Sequence, residues 1–168
     1  GIILSASHNP GGPDEDFGIK FNAANGGPAS EAITEAIHRR TQSLDRYRTF
    51  AAPELDIDTL GVGKLGKMRI EVMDPVSDYA DLMASLFDFE AIRRLFASGQ
   101  IRMKLDAMHA VTGPYATEIL ENRLGAPVGT VMKGVPLEDF GGGHPDPNLA
   151  HAQELVALCQ GPEGLDFG

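Results

Sequence analysis

The chain has 168 residues, enough to bury a core, and its 42% hydrophobic and 23% charged residues make a globular composition rather than a disordered one. With 14 basic against 24 acidic residues the formal net charge is −10, and no basic stripe exists to neutralise a phosphate backbone, which excludes nucleic acid as a partner. A single cysteine excludes an internal disulfide, and the lack of a signal peptide or a bilayer-long apolar run excludes a membrane role, making the cytoplasm the expected location.

In chain order, Ile2–Leu4 reads as a short buried strand running into the glycine- and proline-rich bend "SASHNPGGPDED". "GIKFN" reads as a second short strand, closed by the turn signal "NGGP". Ser30 is the expected N-cap of a helix with Ile33, Ile37 and Leu44 on one face. In that helix Arg39 follows Glu35 by four residues, and Arg39 and Arg40 suit the C-terminal end of the dipole. Residues 49–67 contain three glycines and one proline without a sustained period and are expected to form a surface connection. "MRIEVMDP" predicts a strand with Met68, Ile70 and Val72 on one face.

Ser77 is expected to open the next helix and Asp88 to cap another through Phe96 to Gly99. The Met and Phe stripe on these helices is expected to be core rather than a cofactor box. From residue 101 the pattern becomes regular. "IRMKLDAM" alternates as a strand, and "GPYATEILENRLG" reads as a helix with Pro114 near its start and Gly125 past its end. A strand near 128–133, a helix from an Asn148 cap to Gly161, and a strand opening at "LDFG" follow. Cys159, in the apolar "ELVALC", is expected to be a buried, inert thiol. The alternation predicts an α/β fold, with mixed and parallel sheets flanked by helices and right-handed crossovers. Two incomplete α/β domains are expected, residues 1–75 and 76–168, and the chain's two ends read as cut from something longer.

The bend at 5–16 carries the chemistry. A hydrolase elbow needs Gly-x-Ser-x-Gly, but Ser7 has Ser5 two residues before it and Asn9 two after. A Walker loop needs Gly-Lys followed by a hydroxyl residue, but Ile19 separates Gly18 from Lys20. What remains is a loop of small residues in which backbone N–H groups can approach an anion. There Ser7 can carry a phosphoryl group, His8 can bond it or move a proton, and Lys20 can neutralise charge or act as acid or base. The same residues also fit a capped turn with a solvated lysine, and their types alone do not separate the two. His109 and His144 lack a partner at metal-ligand spacing and are expected in loop or supporting roles, while His38 and His151 are expected on helix surfaces.

The motifs "ASHNPGGP", "DFGIKFN", "NGGPASEAIT", "DAMHAVTGPY" and "PLEDFGGGHPDPNL" resemble, in order, those of the α-D-phosphohexomutase family, in its phosphoglucomutase form. Members are four-domain enzymes, and the resemblance covers the end of the first domain and most of the second. It implies interconversion of glucose 1-phosphate and glucose 6-phosphate through glucose 1,6-bisphosphate. It further implies Ser7 as the phosphoserine, also a Mg²⁺ ligand through its phosphate, Lys20 as the proton-transfer group and His8 as an assistant at the phosphate. The family's aspartate metal loop is expected beyond "LDFG". Phosphomannomutase, another phosphohexomutase, or an inactive binding paralogue are the alternatives.

Overall fold

A computed structural model describes residues 1–162 and 164–168, which group into two compact units. One comprises residues 1–5 and 17–74, the other residues 6–16 and 75–168.

In the first unit, β1 (Ile2–Leu4) and β2 (Ile19–Phe21) pair antiparallel, with Ile3 opposite Lys20. Ser5 N donates to Gly18 O at 2.9 Å just past this ladder. The strand expected to be buried is exposed at all three positions, Ile2 at 71%. A two-stranded ribbon has no further layer of its own to cover its faces. The predicted helix is α1 (Glu31–Gln42), preceded by Ser30 in extended conformation but without a side-chain capping bond. Glu35 and Arg39 pair at 3.2 Å on its exposed surface, and its apolar positions Ile33 and Ile37 stay exposed.

The segment expected to be an irregular connection instead contains β3 (Gly61–Leu65), which forms an antiparallel hairpin with β4 (Met68–Val72). Gly66, at φ +60°, and Lys67 make the two-residue loop, a connection that favours glycine at its first position.

In the second unit, α2 (Pro75–Leu86) starts two residues earlier than expected, with Pro75 at the first helical position. There its fixed φ is pre-organised and its missing N–H costs nothing. Asp88 caps α3 (Phe89–Ala97), accepting from Ala91 N at 2.9 Å as the sequence implied. The Met and Phe stripe is only partly covered, with Met83 and Phe96 half-buried. Ala80 is the buried residue of α2, whereas Leu82, Leu86 and Phe87 are exposed.

β5 (Leu105–Asp106) and β6 (Val131–Met132) pair in parallel, and Met103 bridges Phe167 in the same sense. The strands run in the expected direction but are shorter than the period-two runs that predicted them. Between them α4 (Thr112–Ala116) continues as a π-helical stretch, Thr117–Arg123, whose last turn is closed by the Arg93 guanidinium donating to Arg123 O at 2.8 and 3.1 Å. Tyr79 of α2 packs edge-on against Tyr115 of α4 at 5.5 Å.

Among the described residues the buried hydrophobic side chains are those of Ala80, Ala107, Leu124 and Ala126. The last helix, α5 (Gln153–Gln160), begins five residues after Asn148, which caps a separate turn instead. Cys159 is half-buried and lines an apolar cleft of about 740 Å³ with Met103, Leu105, Leu155 and Phe167. Among the described residues no helix is long and apolar enough to cross a membrane.

Candidate functional site

The carboxyl ends of β5 and β6 build the candidate site of the second unit. Parallel pairing passes Leu105 N to Thr130 O and Ala107 N to Met132 O, both at 2.9 Å. Beyond the strands, His109 N donates to Lys133 O at 3.0 Å and Leu137 N donates to His109 O at 2.9 Å. The His109 ring nitrogen Nδ1 lies 2.8 Å from Val135 O, so this imidazole ties the loop after β6 to the loop after β5. That is the supporting role the sequence implied for it.

Asp106, at the end of β5, is buried with its side chain only 1% exposed. Its Oδ1 accepts the Met108 N–H at 2.9 Å and its Oδ2 accepts from Lys133 Nζ, also at 2.9 Å. Lys133 Nζ further reaches Glu154 at 3.0 Å. The hydrogen bond to Asp106 first, then that to Glu154, hold the Lys133 ammonium above the usual lysine range. Three charges thereby close the carboxyl end of the sheet against α5.

The serine loop rests on this framework. A Cβ placed on Gly11 would fall 2.6 Å from the Phe140 ring and 3.0 Å from Glu138 O, so only glycine lets the loop approach so closely. Within the loop, Asn9 N donates to Ala6 O at 3.2 Å and Asn9 Nδ2 donates to Asp16 Oδ2 at 2.8 Å, clasping its two limbs. Ser7 is exposed, with φ at +64°. Its Oγ lies 3.3 Å from His8 Nδ1, with the direction of that bond set by the imidazole tautomer.

Five non-glycine residues have positive φ among the described residues: Ser7, Met108, His109, Lys133 and Phe140. All five belong to the second unit. Left-handed backbone costs a side-chain-bearing residue roughly 1–2 kcal/mol, and such strain concentrates where a site needs a fixed geometry. Ligands of parallel α/β sheets also bind outside the carboxyl ends of the strands. The sequence singles out Ser7 and His8 as candidates, but no local pattern announces the close approach of Phe140 to Gly11 that supports their loop.

Ser7 and His8 are thus brought together in the second unit. Lys20 lies in the first, exposed on β2 and opposite Ile3 in the ladder. The apolar cleft beside Cys159 contains neither Ser7 nor His8.

Compared with known proteins, residues 1–48 match the model of phosphoglucomutase/phosphomannomutase, alpha/beta/alpha domain I. A phosphoglucomutase of Rhizobium radiobacter is 58% identical over all 168 residues, which span 31% of its length. A chloroplastic phosphoglucomutase 1 of Marchantia polymorpha is 51% identical over the whole chain, 26% of that protein. A crystal structure of the Paramecium exocytosis-sensitive phosphoprotein pp63/parafusin, a phosphoglucomutase in its open form, superposes with a TM-score of 0.88 at 42% identity. It covers 95% of this chain and 30% of the other.

Along its whole length the chain is similar to phosphoglucomutases. It spans less than a third of the length of these relatives. Relatives of this family carry both cytoplasmic and chloroplastic designations, as in Populus tremula and Marchantia polymorpha.

The family resemblance implies Mg²⁺ beside the phosphoserine, a hard cation that takes oxygen ligands in near-octahedral geometry. Among the described residues the one group of three or more His, Cys, Asp or Glu side chains whose ligand atoms converge is His144, Asp146 and His151. Two of those three are imidazoles, and the acids of the serine loop form no such group. The described residues therefore do not fit a Mg²⁺ cage at Ser7.

Proposed function

We propose that this sequence carries the phosphoryl-transfer serine of a phosphoglucomutase, with Ser7 as phosphoryl donor and acceptor. The observation that carries the reading is Ser7 itself, exposed and held at φ +64° on a loop braced through Gly11. A strained, exposed hydroxyl on a clasped loop suits in-line transfer, in which positioning and charge compensation do most of the work.

In the first half-reaction a phosphoryl group on Ser7 Oγ passes to the free hydroxyl of a glucose monophosphate. The P–Oγ bond breaks as the new P–O bond forms. In this scheme Lys20, as the free amine, takes the proton of the sugar hydroxyl, and His8, with Nδ1 3.3 Å from Oγ, gives the serine oxygen its proton. The product is glucose 1,6-bisphosphate. It turns around, and Ser7 Oγ takes the phosphoryl group from its other end while the proton returns to the sugar oxygen. Sugar phosphates are the proposed partners and the cytoplasm the proposed setting; Mg²⁺ is the proposed cofactor of the gene product that contains these residues, where ligands other than those described here would hold it and it would supply positive charge beside the serine phosphate.

The test is labelling by glucose 1,6-bisphosphate carrying radioactive phosphorus, with peptide mapping, in the gene product that contains these residues. Label confined to Ser7 and lost in Ser7→Ala is expected; label on Ser5, or retained in Ser7→Ala, overturns the assignment. In the same protein Lys20→Met slows turnover by about two orders of magnitude or more, the scale of a lost proton-transfer group. Turnover at the wild-type rate removes Lys20 from the mechanism.

A further inference from the structure

One side-chain cluster of the second unit has no part in phosphoryl transfer. It begins in "GGGHPDPN", where Asn148 turns the chain sharply. Asn148 Oδ1 accepts the N–H groups of Ala150 at 2.9 Å and His151 at 3.2 Å, and its carbonyl accepts from Ala152 N at 2.8 Å. That turn carries His151 back onto His144, seven residues earlier. The two imidazoles stack with centroids 4.2 Å apart and planes 8° from parallel. One ligand atom each from His144, Asp146 and His151 lies within 4.8 Å of the others.

A second observation singles the cluster out. His144 Nδ1 is closed to solvent and has no hydrogen-bond partner among the described residues. A buried polar atom left this way calls for an ion or a water molecule. Asp146 Oδ2 accepts from Asn148 Nδ2 at 2.5 Å, which fixes the carboxylate beside the two rings.

We propose that His144, Asp146 and His151 form a three-ligand site for a divalent transition-metal ion of the Zn²⁺ type. Two imidazoles and one carboxylate are a borderline donor set that suits Zn²⁺, and they offer Mg²⁺ too few oxygens. Three protein ligands leave a fourth position open to water or another donor. Tetrahedral Zn²⁺ with bonds of about 2.0–2.1 Å places its ligand atoms roughly 3.3–3.5 Å apart. Stacked rings aim their nitrogen lone pairs along parallel planes, so one ring has to tilt to share an ion. His151 is the exposed ring and makes that movement; half-buried His144 stays in place. Once bound, the ion ties the glycine-rich loop to the turn that leads into α5. Phe140 lies in the same loop, four residues before His144, and it is Phe140 that braces Gly11 of the serine loop.

The test uses the untagged 168-residue chain, stripped with EDTA and titrated with ZnCl₂ by calorimetry. Co²⁺ serves as a spectroscopic substitute. One equivalent of Zn²⁺ binding in the micromolar range or tighter, with a Co²⁺ visible band of low-coordinate intensity, is expected. His151→Ala, at an exposed position, weakens Zn²⁺ binding about tenfold or more while circular dichroism and the urea midpoint stay at wild-type values. Asp146→Asn weakens it as well. Absence of saturable Zn²⁺ uptake overturns the proposal and leaves a water molecule as the partner of His144 Nδ1. Uptake undiminished in both variants overturns it too, because the ion is then held elsewhere.

Discussion

A methyl group on Gly11 would sit 2.6 Å from the Phe140 ring, so the serine loop and the loop beyond β6 touch without room for any side chain. Glu138 O stands 3.0 Å from the same point, and backbone yields less readily than a ring. Gly11→Ala is therefore expected to push the serine loop off its support. Overpacking of this kind costs about 1–3 kcal/mol. The loss is measured by urea denaturation and is accompanied by weaker phosphoryl labelling of Ser7. Wild-type stability together with full labelling means that the two loops separate freely.

Ser7 offers a sharper comparison because its backbone is left-handed, at φ +64°. Neither Ser7→Gly nor Ser7→Ala can accept a phosphoryl group. They differ in strain: glycine adopts this conformation without a Cβ clash, whereas alanine retains the clash. The glycine variant is expected to be more stable than the alanine variant by about 1 kcal/mol. Equal urea midpoints would show that the serine loop relaxes out of this conformation in solution.

Legibility in the sequence followed the locality of the signal. Asp88 announced its helix because a cap is a local device, and the Asp88 side chain does accept from Ala91 N. The parallel sense of β5 and β6 followed from the alternation of elements, a pattern spread over thirty-odd residues. β3 escaped because glycines at 61 and 63 dilute its alternation, although Gly66-Lys67 ahead of Met68 is a hairpin signal. The apolar stripes on α1 and α2 marked helices correctly but not burial, since periodicity says which face is apolar and not what covers it. Within the site, Ser7 and His8 were legible as types on a glycine-rich bend. The His144–His151 pairing was not, because a seven-residue spacing becomes proximity only through the Asn148 turn.

Lys133 links the carboxyl end of the sheet to α5, and its charge sets a pH dependence. Its pKa is raised in the folded state, chiefly by the hydrogen bond to Asp106. A raised pKa means stability that is fully present below the ordinary lysine range and lost as pH rises through the folded value. Lys133→Met also strips a buried carboxylate of its partner, at a cost of about 3 kcal/mol, the low end for such a loss because solvent reaches the lysine. The stability gap between wild type and Lys133→Met is expected to be constant across neutral pH and to narrow at strongly alkaline pH. A gap that widens there refutes the ion-pair account of this junction.

Mg²⁺ and Zn²⁺ should separate cleanly on these 168 residues. Mg²⁺ requires near-octahedral oxygen coordination and gives up its water reluctantly, so a lone serine hydroxyl holds it poorly. The acids nearest in sequence, Asp14, Glu15 and Asp16, join no convergent group among the described residues, and Asp16 is engaged by Asn9 at 2.8 Å. Calorimetric titration of the chain, with Ser7 unphosphorylated, is expected to show Mg²⁺ binding no tighter than the millimolar range. A coupled assay is expected to show no glucose 6-phosphate formation by the chain alone, at any Mg²⁺ concentration. Tight Mg²⁺ uptake abolished by Ser7→Ala is the outcome that counts against this, because the serine loop would then organise oxygen ligands on its own. Uptake abolished instead by His151→Ala would assign the ion to the imidazole cluster, and with it a preference that its nitrogen donors do not support.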